Sequence, residues 1–434
     1  MMNLNKARQF ILFFLTIGLT ANAQEILTLS RQQCEAIFLK ENLQLLAEKL
    51  EISKAEAAVL QARLWPNPTF EIDEVNLWAT KKQLAVFGDD LQGFNGGNFG
   101  KNQQFSLGIE QLIKTAGKRK KLVALEQVTA DKSKQYFEDV LRGLKLEFRN
   151  NLTQLQHLQL HKKVYEKEIT VLKNLTEAYQ KQVTQGHVSK GEYIRLKALE
   201  LEFSQTINDL TKAINEEQKE LKILMRLPAQ LQLALTEDDF LQDTKAAKSE
   251  SLESVLSKAT SARPDLKIAQ LNQQYANRLL AYEKAQRTPD VTLKAGYDRG
   301  GNFMYNFVGF GLSIDLPLFD RNQGNIKSAK FEIEQAQLLY EEKNLSVQNE
   351  IAMAFENLDA AIRFYESIEP GYERTLNELL QQYTKNFVNR NISMLEYLDF
   401  LDAYLENKKI ILEAGKEVNE KIEELNHAVG SDLN

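Results

Sequence analysis

His157 and His161 lie four positions apart in a run whose apolar residues recur at helical spacing, so one helix face carries both imidazoles and can offer two ligands to zinc or copper. Two ligands do not make a site. No third is fixed beside them, and Gln156, Gln159 and Lys162 around them favour a solvated helix face. Glu396 and Asp399, three apart, also share a face, as solvated surface carboxylates commonly do. The six methionines form no thioether cluster of the kind soft copper or silver favours. Gly309-Phe310-Gly311 lacks the further glycine and the βαβ context of a dinucleotide fingerprint, and Gly108 to Lys118 misses the phosphate-loop spacing. With no nucleophile motif and no complete metal set, catalysis has the least support, and no cofactor is expected.

These residues sit in a duplicated frame. Ala178 to Tyr193 returns as Gln382 to Tyr397, so that Tyr179, Lys181, Ser189, Glu192 and Tyr193 meet Tyr383, Lys385, Ser393, Glu396 and Tyr397 at a constant offset of about 204 positions. Trp65-Pro66-Asn67-Pro68 corresponds to Arg287-Thr288-Pro289-Asp290, and Ile109 to Lys120 to Ile314 to Gly324. Each copy reads helix, strand, strand, long helix, shorter helix. The first copy carries an extra Gly-rich insert, Gly88 to Gly100, that reads as an exposed loop. The expected organisation is a signal segment over 1–23, one repeat over 24–228, a linker over 229–250 and a second repeat over 251–434.

Lys6 and Arg8 before the apolar run Phe10 to Leu19, followed by Ala21-Asn22-Ala23, form a secretory signal, with the mature chain expected to start at Gln24. Losing Lys6 and Arg8 lowers the formal charge from -6 to about -8, which argues against a nucleic-acid partner. In an exported chain the basic run Lys118-Arg119-Lys120-Lys121 is expected to face lipid headgroups or periplasm. The only cysteine, Cys34, has no internal disulfide partner, and Arg31-Gln32-Gln33 before it do not suit lipidation.

Phe70 and Ile72 alternate with Glu71 and Asp73; Phe105, Leu107 and Ile109 with Ser106, Gly108 and Glu110; Val291, Leu293, Ala295 and Tyr297 with Thr292, Lys294, Gly296 and Asp298. A fourth candidate strand, within Phe303 to Phe319, is rich in aromatic residues. All approach the length of a tilted membrane strand of about 9 to 11 residues. Two hairpins cannot close a barrel, and open edges in lipid cost several kcal/mol per unpaired backbone group, so closure requires more chains. The pattern equally allows small water-soluble sheets on a helical body.

Between Pro68 and Pro228 there is no proline, and Leu141, Leu144, Phe148, Leu152 and Leu155 mark a helix from about Ala116 to Gln185, roughly 100 Å long at 1.5 Å per residue. The second copy repeats it from about Gly324 to Asn389, with a kink expected at Pro370-Gly371. Shorter helices are expected over about Ser30 to Leu64, Lys190 to Arg226, Leu252 to Arg287 and Ser393 to His427. Each short pair matches one long helix in length, as a coiled-coil wall requires, although periodicity alone also allows a rod without a lumen.

Pro66-Asn67-Pro68, Thr115-Ala116-Gly117-Lys118-Arg119-Lys120, and Leu316-Pro317-Leu318-Phe319-Asp320-Arg321-Asn322-Gln323-Gly324, in this order inside a duplicated frame, carry a resemblance. The whole mature chain resembles the TolC family of outer-membrane efflux proteins, in the branch that includes CzcC-type heavy-metal exporters. The resemblance implies an α+β membrane protein: a homotrimer whose chains each give four strands to a 12-stranded outer-membrane barrel, above a long helical coiled-coil tunnel in the periplasm. It implies a passive duct, not an enzyme, in contact with outer-membrane lipid. A periplasmic adaptor (membrane fusion) protein would couple it to an inner-membrane pump of the RND type, with divalent heavy-metal cations as the expected substrate.

By the same resemblance, Val183 to Tyr193 and Phe387 to Tyr397 are the hairpin tips at the periplasmic entrance. There Gly186, His187, Val188, Ser189, Asn391, Ile392 and Ser393 would dock the adaptor. Gly186 would supply a positive φ, and Ser189 and Ser393 would cap the returning helices. Glu396 and Asp399 match the family's acidic entrance pair, and Glu192 keeps the acid of the first tip. Phe387 and Ile392 stand where some relatives place a tyrosine and an arginine that tie the gate shut; Arg390 is near enough to substitute. Export of organic drugs, polypeptide secretion through a type I system, and a periplasmic coiled-coil interaction protein without a barrel are the alternatives. Trp65 and Trp78, near an expected lipid interface, speak against the last.

Overall fold

The computed structural model describes residues 26–76, 104–236, 240–242, 244, 248, 250–299 and 306–433. The expected signal segment, Trp78 and the Gly88 to Gly100 insert lie outside the described residues. In chain order the elements are β1 (Ile26–Leu29), α1 (Arg31–Glu41), α2 (Leu43–Arg63), β2 (Thr69–Asn76), β3 (Gln104–Ile113), α3 (Lys118–Thr184), α4 (Lys190–Met225), β4 (Gln232–Leu235), α5 (Leu252–Ala262), α6 (Pro264–Gln286), β5 (Val291–Asp298), β6 (Phe307–Ile314), α7 (Gln323–Ser367), α8 (Tyr372–Val388) and α9 (Met394–Val429). Contacts divide the chain into two compact units, each drawn from both repeats. One comprises Met1–Glu48, Glu138–Arg263 and Ser346–Asn434; the other Lys49–Phe137 and Pro264–Leu345.

The second unit holds one antiparallel sheet in the order β2-β3-β5-β6, so β3 and β5 join the hairpins of the two repeats. The alternation read in the sequence sets a two-faced register. Phe70, Ile109, Ala295 and Phe310 align across all four strands, as do Ile72, Leu107, Tyr297 and Val308. On the opposite face Thr69, Glu110, Lys294 and Gly311 align, then Glu71, Gly108, Gly296 and Gly309, then Asp73, Ser106, Asp298 and Phe307. Lys294 and Glu110 pair on that polar face. A Cβ at Gly309 would come 2.8 Å from the Phe307 ring, so a larger residue there would have to displace that ring.

The fourth strand is shorter than the aromatic run suggested, ending at Ile314. Asp315 and Pro317 follow at once, and a proline cannot donate to a ladder.

In the first unit the breaks in the shorter helices have local causes. Asn42 interrupts the first, its side chain accepting from Leu45 N at 2.9 Å and donating to Leu224 O at 2.9 Å. Arg263 takes an extended conformation before Pro264, which opens α6 in the one helical position where a missing N–H costs nothing. The kink expected at Pro370-Gly371 is a full break between α7 and α8, with Gly371 at φ 84°. One core joins Val347, Ile351 and Leu358 of α7 to Val418, Leu425 and Val429 of α9. Phe148 of α3 stacks on Phe38 of α1 at 4.4 Å. Arg149 holds three carboxylates, Glu35 at 2.7 Å, Glu423 at 2.8 Å and Asp432 at 2.7 Å. No helix of the described residues is long and apolar enough to cross a membrane, which says nothing of a β-barrel.

Candidate functional site at the two hairpin tips

The repeat recurs at atomic detail in the turns joining α3 to α4 and α8 to α9. Ser189 Oγ accepts from Glu192 N at 3.2 Å while Glu192 Oε2 accepts from Ser189 N at 3.1 Å. Ser393 and Glu396 repeat this, at 3.2 and 2.7 Å. Each reciprocal pair satisfies two otherwise orphaned donors, and removing such a serine hydroxyl costs about 1 kcal/mol.

The left-handed turn position is Gly186 in the first tip, at φ 76°, and Arg390 in the second, at φ 59°. Glycine takes that backbone freely, whereas a residue with a Cβ pays about 1 kcal/mol. Arg390 makes a contact no glycine can: its Nη2 donates to Gln182 Oε1 at 2.7 Å, tying the second tip to the end of α3.

Beneath that link Phe387, 2% exposed, lies between two tyrosines, 5.5 Å from Tyr179 and 4.6 Å from Tyr397, with the rings near parallel. Burial, then Glu192, hold the Tyr179 hydroxyl above its usual range, with Arg390 opposing. Ile392 packs half-buried against the same cluster. Sequence reasoning left Phe387 and Ile392 as departures and missed Gln182 and Tyr179. Tyr179 stood in the repeat alignment, but nothing in the sequence marked Gln182.

Glu396 and Asp399 are exposed on α9. The hydrogen bonds from Ser393 hold the Glu396 carboxyl below its usual range, so it carries full charge at neutral pH. Asp402, one turn beyond Asp399, is raised by burial and then by that neighbour. Glu406 and Glu413 continue the acidic row on exposed positions. Gly186, His187, Asn391 and Ser393 are exposed, and Val188 is half-buried.

His157 and His161 differ from the expectation of a solvated face. His157 is 6% exposed, 5.9 Å from His161 between ring centroids, and His161 meets Tyr165 edge-on at 5.4 Å. Burial, then Lys416 and His161, push the His157 imidazole down to about 4. No group of three or more His, Cys, Asp or Glu among the described residues is arranged to hold a metal ion.

Lys118 also turns inward instead of facing headgroups or periplasm. Its Nζ meets Asp290 Oδ1 at 2.8 Å, while Thr115 N donates to the same oxygen. Arg119 lies 4.0 Å above Trp65.

This fold is that of the outer-membrane channels. CusC, described as forming a transmembrane channel, superposes with TM-score 0.71 over 92% of both chains at 18% identity. The Campylobacter jejuni CmeC outer-membrane channel gives 0.71 over 92% of this chain and 85% of its own, at 15% identity. Residues 255–431 match the family described as outer membrane efflux protein. Over 129 residues the chain is 31% identical to the cobalt-zinc-cadmium resistance protein CzcC of Cupriavidus metallidurans, a match spanning 29% of each chain. The resemblance read from the motifs, to TolC-family outer-membrane efflux proteins and to CzcC, is matched by the family model over residues 255–431, by the CzcC relative and by the shared fold.

Proposed function

We propose that this protein is the outer-membrane duct of a tripartite efflux pump, through which an inner-membrane transporter of the RND type and a periplasmic adaptor pass divalent heavy-metal cations. The observation that carries this reading is the two-faced sheet. Its apolar face is open to the surroundings, with Phe70 64%, Ile72 57% and Phe310 87% exposed, while neither outer strand, β2 nor β6, is paired on its far side among the described residues. A contiguous apolar face of that kind belongs against lipid, and free edges in lipid require closure by further chains. Three copies give twelve strands.

The polar face then lines the lumen. Per chain it sets Glu71, Asp73, Glu110 and Asp298 against Lys294, an acidic balance that favours cations over anions. In the hairpin tips Glu396, Asp399 and Glu192 form the acidic entrance, and Arg390 holds it closed through Gln182. Gly186 to Ser189 and Asn391 to Ser393 receive the adaptor. The similarity to a cobalt-zinc-cadmium resistance protein supports metal cations as the substrate.

The test of substrate is deletion of the gene and growth on zinc, cobalt, nickel, cadmium, copper and a panel of organic antibiotics. Sensitivity confined to a few divalent metals is expected. Sensitivity to organic compounds alone overturns the substrate and leaves the duct.

A further inference from the structure

Just past the end of β6, an open cleft of about 850 Å³ is lined by Arg287, Arg321, Lys327 and Lys330 together with Phe319 and Phe331, against a single acid, Glu334. We propose that this cleft binds the headgroup of an anionic phospholipid from the leaflet at the foot of the barrel, an inference that rests on the membrane reading of the sheet.

The cations are unneutralised. Arg287, Arg321 and Lys330 make no side-chain hydrogen bond or ion pair among the described residues, and Lys327 only approaches the Phe331 ring, at 5.9 Å. The first repeat shows how the matching junction is satisfied: Lys118 pairs with Asp290, and Arg119 covers Trp65. The second repeat has no such partner.

The matching strand junction of a second copy does not supply one. The repeat aligns Trp65 to Pro68 with Arg287 to Asp290, so a copy set against β6 as β5 is set against β3 presents Leu64 to Thr69 there, a segment with no carboxylate where the first repeat's junction meets Asp290. The anion assigned to the cleft is one from the membrane.

The apolar half of the cleft selects among anions. Val308, Phe310, Leu312 and Ile314 form the apolar face of β6, and Leu316, Leu318 and Phe319, exposed by 72%, 63% and 92%, carry that surface to the cations. A free phosphate would use only the charges, whereas a phospholipid seats its phosphate among them and its chains along the apolar residues.

Native mass spectrometry of the detergent-purified full chain tests this with dioleoylphosphatidylglycerol, dioleoylphosphatidylcholine and inorganic phosphate as probes. The expected result is retention of phosphatidylglycerol at about tenfold lower concentration than phosphatidylcholine, a preference abolished in Arg321→Gln/Lys327→Gln/Lys330→Gln. Millimolar phosphate should not displace the lipid.

Equal retention of the two lipids, an unchanged preference in the variant, or full displacement by phosphate overturns the proposal. Should the triple variant melt early, Lys330→Glu alone must still weaken phosphatidylglycerol retention several-fold. Conductance of the same preparations in planar bilayers separates the two readings. Its absence in the unmutated protein counts against the duct, while lost lipid preference with conductance intact concerns this cleft alone.

Discussion

Arg390 reaches from the one strained backbone position of its tip to Gln182, 2.7 Å away on α3, so the repeat's second turn is fastened to its first. The equivalent residue, Gly186, has no side chain with which to return the contact. Replacing Arg390 by glycine removes the fastening and the left-handed strain together. Arg390→Gly should leave thermal stability unchanged or slightly higher while raising the open probability of the reconstituted channel by up to about tenfold. A lower melting temperature with unchanged opening would show the link to be structural.

Phe387→Ala should act differently, because that ring is buried between Tyr179 and Tyr397. The loss is about 3 to 5 kcal/mol, confined to the tip cluster. Hydrogen exchange should quicken in the tip ends of α3 and α8 and leave the core joining α7 to α9 protected. Uniform quickening would mean that the tips are not a separate cooperative unit.

The acidic tips and the capping serines were legible in the sequence because a repeat at fixed offset exposes them twice, and a serine three residues before an acid is a local signal. The strands were legible because two-faced sheets alternate. What remained hidden depends on packing across elements. The imidazoles of His157 and His161 looked solvated because their sequence neighbours are polar, yet α9 covers that face and supplies the groups nearest them. Lys118 turned inward because Asp290, far along the chain, is brought beside it by the β3 to β5 pairing.

His157 makes stability fall on the acid side. Its folded value of about 4 lies below its ordinary 6.5, so the unfolded chain binds the proton first as pH drops. The stability present above pH 6.5 is lost progressively down to about pH 4, by roughly 3 kcal/mol at about 1.4 kcal/mol per unit. Denaturant melts at pH 7 and 4.5 should therefore differ more for the unmutated protein than for His157→Gln. An equal pH dependence would remove His157 from the acid response.

Cys34 is fully buried, and burial, with Arg31 opposing, pushes its thiol up to about 12. Maleimide should label the native protein only at the rate of unfolding and the denatured protein at once. Rapid native labelling would contradict the packing of α1 on α3.

The duct itself is tested most directly by ion selectivity of the full-length protein in planar bilayers, unmutated and as Glu396→Gln with Asp399→Asn. Discrete cation-selective channels that divalent ions block from the tip side are expected, with block weakened in the double variant. Absence of channels, or block and selectivity indifferent to those two carboxylates, would contradict the duct.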